Sequence, residues 1–275
     1  MSFGARLVAA MTERGQLCAG IDPHAGLLHD WGLDDNPGGL ERFALTAVEG
    51  LAPYVPVIKP QSAFYERHGS RGVAVLERVI AESRAAGALV LVDVKRGDIG
   101  STSQAYADAY LDPASPLGSD AVTVSPYLGF GSLQPFVDTA RRYDAGLFVL
   151  ALTSNKEGPE VQHAVTAEGG TVAGLILDRL RRLDAEATPL GSYGAVIGAT
   201  IAETGLDLDF NGPILAPGYG AQGGTAADLR RIFGAAGRHV LASSSRGLLR
   251  AGPDPRALRG AALAAREELS VLAAS

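Results

Sequence analysis

Short, almost purely apolar runs alternate with longer amphipathic stretches along the chain. QLCAGID (16–22), YVPVIKP (54–60), ALVLVD (88–93), DAVTVSP (120–126), AGLFVLALTS (145–154), GAVIGAT (194–200), PILAPG (213–218) and RHVLASSS (238–245) predict strands. Such continuous apolar runs suit strands covered on both faces. The stretches between them read as helices: FALTAVEGLA, GVAVLERVIAESRAAG, TSQAYADAYL, LQPFVDTARRY, a long helix ending near Leu183, a short IAETG helix, TAADLRRIF and PRALRGAALAAREELSVLAA. Val73, Leu76, Val79 and Ile80 share one face of the second of these.

Eight strand–helix units in 275 residues predict an α/β protein, a (β/α)8 barrel forming one catalytic domain over residues 1–275. The alternative is a doubly wound open sheet. The count of eight favours the barrel, and no GxGxxG follows the first strand. In a barrel, chemistry collects where strands end and the following loops begin. The unusual polar residues do fall there: Asp22 after the first run, Lys59 after the second, Asp93 and Lys95 after the third, Ser154 after the fifth. GYGAQGG follows the seventh run and SSSRG ends the eighth.

Charge and cysteine content narrow the partners. Lys plus Arg is 24 against 30 Asp plus Glu, a net charge of −6, which speaks against a general affinity for nucleic acid or an anionic membrane. The single cysteine, Cys18, lies in an apolar run, reads as core filler and fits a reducing cytoplasm. The N-terminal MSFGARLVAAMTERG is helical in pattern and lacks the apolar core of a signal peptide. No run reaches the roughly 18 apolar residues of a membrane span. The five histidines show no metal-ligand spacing, His24 included, so no metal site is expected; Trp31 is expected to pack.

The densest chemistry is LVDVKRGDIGST (91–102). Residues two apart on a strand point the same way, which puts Asp93 and Lys95 together at the barrel mouth. Gly97 and Gly100 permit a sharp turn that returns Asp98 toward them, and Lys59 adds a second cation. A Lys–Asp–Lys–Asp array keeps its members ionised in a partly dry site and can act on charge that develops in a reaction. The plainer alternative is a salt-bridge network that only holds loops. Ser101 and Gln104 have the spacing of a capping box, which would leave Thr102 a mere helix-start residue. APGYGAQGGT (216–225) and SSSRG (243–247), with Arg246, form a candidate phosphate site after the last two strands; two tight turns with a solvent-facing arginine are the alternative. SNKEGPEVQHAVTAEGG (154–170) is too long for a connector and reads either as a lid or as a surface loop.

With these residues in place, the chain resembles the orotidine 5′-phosphate decarboxylase family. DVKRGDIGST matches the family signature DxKxxDIxxT, and GIDP, VIKPQSAFYE, LTSNKEG, APGYGAQGG and SSSRG match its other segments in order, from residue 17 to 250. KPQSAFYE, SNKEG and SSRG are similar to the bacterial branch with longer chains. The resemblance implies conversion of orotidine 5′-phosphate to UMP and CO2 in de novo pyrimidine biosynthesis, with no cofactor and no metal, by a cytoplasmic homodimer with shared sites. It further implies that Lys95 protonates C6 of the pyrimidine, Asp93 sits against the departing carboxylate, and Lys59 binds the ribose and holds Asp93. Asp22 would accept from a ribose hydroxyl, while Asp98 and Thr102 would reach into the neighbouring subunit's site. Ser154, Pro217, Gln222 and Arg246 would bind substrate, Ser154 at the pyrimidine edge, Gln222 bridging to the phosphate and Arg246 on the phosphate itself.

Three rivals stand beside this reading. Metal-dependent sugar-phosphate enzymes of the same superfamily carry an acidic residue where this chain has Lys59. A Schiff-base aldolase needs a lysine in an apolar pocket, whereas Lys95 is flanked by carboxylates. A catalytically dead phosphate-binding barrel would not need Lys95, Asp93 and Asp98 intact.

Overall fold

A parallel sheet leaves unpaired N–H and C=O groups along two edges unless it closes on itself. The computed structural model, which describes residues 1–201 and 205–273, shows that closure. Its strands are β1 (Leu17–Ile21), β2 (Val57–Pro60), β3 (Leu89–Arg96), β4 (Ala121–Val124), β5 (Gly146–Leu152), β6 (Tyr193–Ile197), β7 (Ile214–Pro217) and β8 (Val240–Ser244). They pair in chain order, all parallel, and β8 returns to β1 through Leu17 opposite Ala242. This is the (β/α)8 barrel expected from the sequence pattern.

The longer helices are α1 (Phe3–Arg14), α2 (Pro37–Leu51), α3 (Gly69–Ala85), α4 (Gly100–Leu111), α5 (Gln134–Arg142), α6 (Val172–Leu183), α7 (Ala226–Phe233) and α8 (Pro255–Leu269). The expected IAETG helix spans 201–205, and its residues 202–204 lie outside the described residues. On α3 the buried stripe holds Leu76, Val79 and Ile80 of the predicted face together with Val75, and Val73 lies half-buried at its edge. The predicted capping box at Ser101 and Gln104 does not form. Gly100, at φ 53°, begins α4 two residues earlier than predicted, and Ile99 occupies the cap without a side-chain bond. Gln104 instead donates to Asp108 and to Thr139 of α5.

Two cores result from the alternation of strand side chains. Cys18, Val57, Leu91, Ala121, Phe148, Val196, Leu215 and Leu241, one from each strand, form the inner cluster with Phe3, Leu7 and Met11 of α1. Phe3 meets Phe148 edge-on with ring centroids 6.1 Å apart, and residue 146 has to be glycine because any Cβ there would enter the Phe3 ring. Helix α1 thus stops the N-terminal end of the barrel and leaves the opposite end for chemistry. Cys18 is fully buried in this cluster, and burial pushes its thiol up to about 12. The outer cluster joins the intervening strand residues, such as Ala19, Ile21, Val90 and Val92, to the inward faces of the helices. Trp31 packs there against Phe43 at 4.1 Å and donates Nε1–H to the Leu249 carbonyl.

A buried carboxylate ties α6 to β6. Asp184, 2% exposed, accepts N–H bonds from Ser192 at 3.1 Å and Tyr193 at 3.0 Å. Burial pushes its carboxyl up to about 7, with the two N–H donors limiting the rise. The folded chain therefore holds a proton that the unfolded chain releases near 3.8, and this contribution to stability is lost as pH rises from about 4 to 7. Urea unfolding of the wild type, referenced to Asp184→Asn at each pH, should show the wild type losing about 2–4 kcal/mol of relative stability across that window.

Candidate active site

The polar residues singled out at the strand ends converge on one solvent-open cavity of about 610 Å³ at the C-terminal mouth of the barrel. Its lining includes Asp22, Lys59, Asp93, Lys95, Ser154, Pro217, Gln222 and Arg246. That volume suits a ligand of nucleotide size.

The local path of β3 sets the geometry. Val92 pairs with Val122, but the next pair on β4 is Arg96 with Val124, so Asp93, Val94 and Lys95 stand opposite Thr123 alone. Lys95 adopts φ 47°, a left-handed conformation uncommon outside glycine. Asp93 and Lys95 do share the mouth, as predicted, but through this bulge and not through regular alternation. Lys95 Nζ donates to Asp93 Oδ1 at 2.6 Å, and Lys59 Nζ donates to Asp93 Oδ2 at 3.0 Å. The hydroxyl of Thr123 adds a further bond to Asp93 Oδ1 at 2.8 Å. Burial opposes ionisation of Asp93, but the two ammonium groups and these hydrogen bonds outweigh it and hold the carboxyl well below the usual carboxylate range. Burial likewise opposes the charge on Lys59, and Asp93 and Asp22 more than reverse it, raising its pKa.

Asp22 follows β1 and has a buried Oδ1 with no hydrogen-bond partner, leaving an acceptor ready for a ligand hydroxyl. Across the cavity, the β7 loop turns on Gly218, Gly220 and Gly223, all at positive φ. The N–H groups of Gly220, Gly223 and Gly224 close this loop on itself, while those of Ala221 and Gln222 have no acceptor among the described residues and stay available to an anion. Arg246, on the turn after β8, lines the same cavity; among the described residues it makes no salt bridge. Gln222 and Pro217 flank it, and Ser154 stands exposed at the rim beyond β5.

Asp98 and Thr102 are not brought into this cavity. Asp98 accepts the N–H of Ile99 at 2.8 Å, and Thr102 is exposed on the first turn of α4. The array at the mouth is therefore Lys59–Asp93–Lys95, without the second carboxylate. In the 154–170 segment, a short helix (Pro159–Gln162) and a bridge between Val165 and Thr171 give the rim a defined form, with Lys156 and Glu157 exposed beside it. Sequence reasoning misses Thr123 and does not single out Gln61, Thr153, Asn155 or Ser245 within the segments that contain them; His24, set aside there as a metal ligand, lines the cavity with its ring on Phe64. Thr123 had a signal of its own, as the polar member of the apolar strand AVTV. No three His, Cys, Asp or Glu side chains among the described residues group as a metal site.

A profile of the orotidine 5′-phosphate decarboxylase / HUMPS family matches residues 15–261. The chain belongs to this family. Among its relatives, the orotidine 5′-phosphate decarboxylase of Nocardioides sp. is 72% identical over 270 residues, 97% of this chain and 98% of that one. The orotidine 5′-phosphate decarboxylase of Streptomyces coelicolor is 63% identical over 261 residues, 94% of each chain. A crystal structure from Streptomyces avermitilis superposes with a TM-score of 0.97 at 62% identity, covering 100% of this chain and 96% of that one. Family membership sets the reaction class: the chain is an enzyme, a carboxy-lyase.

In this decarboxylase-family site Asp93 is the counter-ion of a lysine as buried as itself, whereas the Lys95 side chain is 43% exposed. Asp93→Ala should destabilise the fold by about 3 kcal/mol by leaving Lys59 buried and poorly paired. Lys95→Ala should change stability by less than about 1 kcal/mol. Urea denaturation at pH 7 measures both. The Asp93 contribution is present above 3.8, its unfolded-chain value, and is lost as pH falls below it.

Proposed function

We propose that the cavity decarboxylates orotidine 5′-phosphate to UMP and CO2, a step of de novo pyrimidine biosynthesis, without a cofactor. The observation that carries this reading is the pairing of two unlike ends in one cavity. One end is an ammonium, Lys95, held 2.6 Å from the buried Asp93. The other is a guanidinium, Arg246, which forms no salt bridge among the described residues.

In this reading the 5′-phosphate binds Arg246 and Gln222, a ribose hydroxyl donates to Asp22, and Lys59 binds the ribose while holding Asp93. Ser154 and Pro217 contact the base. The bond from C6 to the carboxylate breaks, CO2 leaves, and the electron pair stays on C6 in the ring plane, where no conjugated system can accept it. Lys95 stabilises that charge and then transfers a proton from Nζ to C6, giving UMP. Fixed charges in a site that sheds water on ligand binding can do this without reorganising during the reaction. Asp93 keeps Lys95 charged and oriented, and it faces the carboxylate that departs. Binding energy from the remote phosphate can be used for positioning at C6.

A homodimer with shared sites accounts for Asp98 and Thr102. They lie outside their own chain's cavity, beside an apolar surface of Ile99 (63% exposed), Tyr127 (77%) and Leu128 (53%) that a second copy would cover. Asp98 and Thr102 would then complete the partner's site. The lone buried cysteine suits a reducing cytoplasm, and no described helix is long and apolar enough to cross a membrane.

The first test is the ultraviolet spectrum of orotidine 5′-phosphate with the purified chain in EDTA. It should convert to that of UMP, and Lys95→Ala should lower kcat by about 10³-fold or more while nucleotide binding persists. Equal loss of turnover and binding would count against Lys95 as the proton donor. For the shared sites, mixing inactive Asp98→Asn with inactive Lys95→Ala should restore activity, because one site of each heterodimer combines two intact halves. Absence of recovery after demonstrated subunit exchange would sink that assignment.

A further inference from the structure

We infer that Thr123 is a positioning residue for the reaction: its hydroxyl staples the β3 bulge that places Lys95 and orients the carboxylate of Asp93. This rests on the decarboxylase reading above and assigns a role to a residue that does not reach the substrate itself.

The bulge creates a hydrogen-bonding deficit. Between the Val92–Val122 and Arg96–Val124 pairs, three residues of β3 face one of β4. In a regular ladder the N–H groups of successive residues alternate between neighbours, and buried ones left without an acceptor are costly. Here Val94 N–H and Lys95 N–H both donate to Thr123 Oγ1, at 3.0 and 2.9 Å. A side-chain hydroxyl replaces the missing carbonyls of the ladder.

A hydroxyl has two acceptor sites and one proton. Both acceptor sites of Thr123 are taken by these N–H groups, so its proton has one remaining direction, toward Asp93 Oδ1 at 2.8 Å. Thr123 is fully buried, so water does not compete for any of the three bonds. The same oxygen of Asp93 accepts from Lys95 Nζ. One hydroxyl therefore fixes the backbone of Lys95, including its φ of 47°, and the carboxylate to which its ammonium is bound. Valine in its place would keep the shape and β-branching of the strand but leave the two N–H groups unpaired and free Asp93 to rotate.

The test compares Thr123→Val with Thr123→Ser. The valine variant should fold, keep KM within about threefold and lose about 10²-fold in kcat, as expected when a reacting group is displaced without loss of binding. Serine, which restores the hydroxyl without the methyl, should recover kcat to within about fivefold of wild type. Amide hydrogen exchange of Val94 and Lys95 should accelerate in the valine variant and stay slow in the serine variant. If valine fails to fold, Thr123→Ala carries the same comparison. Wild-type kcat in the valine variant, equal damage by serine and valine, or unchanged exchange would each overturn the assignment. Absence of turnover in the wild type would instead refute the decarboxylase reading, and the exchange comparison would still decide whether the staple exists.

Discussion

A carboxylate 5% exposed, as Asp93 is, survives as an anion only if fixed cations replace the water it has lost. Lys59 and Lys95 are those cations, one on each oxygen. The arrangement works in both directions. Without Asp93, a lysine as buried as Lys59 would tend to lose its proton, and Lys95 would be free to swing into solvent. Without the lysines, Asp93 would tend to take up a proton. The three groups are stable as charges only together, and they come from adjacent strands whose pairing the closed barrel fixes. A pre-ionised cluster of this kind is what a reaction with no internal electron sink requires, because the field is in place before charge develops.

The cavity separates two tasks. The Lys59–Asp93–Lys95 cluster sits on β2 and β3, elements held by ladder bonds on both sides. The proposed anion end sits on the turns after β7 and β8, with Arg246 half-buried and Gln222 exposed. In the proposed reaction, chemistry that depends on tenths of an ångström would fall on the rigid part of the scaffold, and recognition of a diffuse phosphate charge on the more adaptable part. The rim segment 154–170 joins the second group, since its short helix and single bridge give it few ties to the barrel.

Much of this was legible in the sequence because the barrel translates strand order into position. Every apolar run identified as a strand became one, and a polar residue at the end of a run fell at the mouth by topology alone. What escaped was local. The bulge in β3 depends on where β4 resumes pairing, which no periodicity within residues 91–102 reveals. Thr123 was hidden for the same reason, since its value lies in bonds to another strand. The capping box at Ser101 failed because Gly100 starts the helix earlier than side-chain preference suggests. The glycine-rich loop after β7 turned three of its N–H groups, those of Gly220, Gly223 and Gly224, back on itself, a choice that composition does not encode.

Ring closure also has a consequence for biosynthesis. Leu17 of β1 pairs with Ala242 of β8, nearly the full length of the chain away. At about 5–20 residues per second of elongation, β1 emerges from the ribosome tens of seconds before its second partner exists. Through that interval one edge of an apolar strand waits uncovered, the situation in which strands pair with the wrong chain. Helix α1, made first and packed beneath β1 and β5, gives the nascent half-barrel an early floor. The last strand and α8 then act as the clasp.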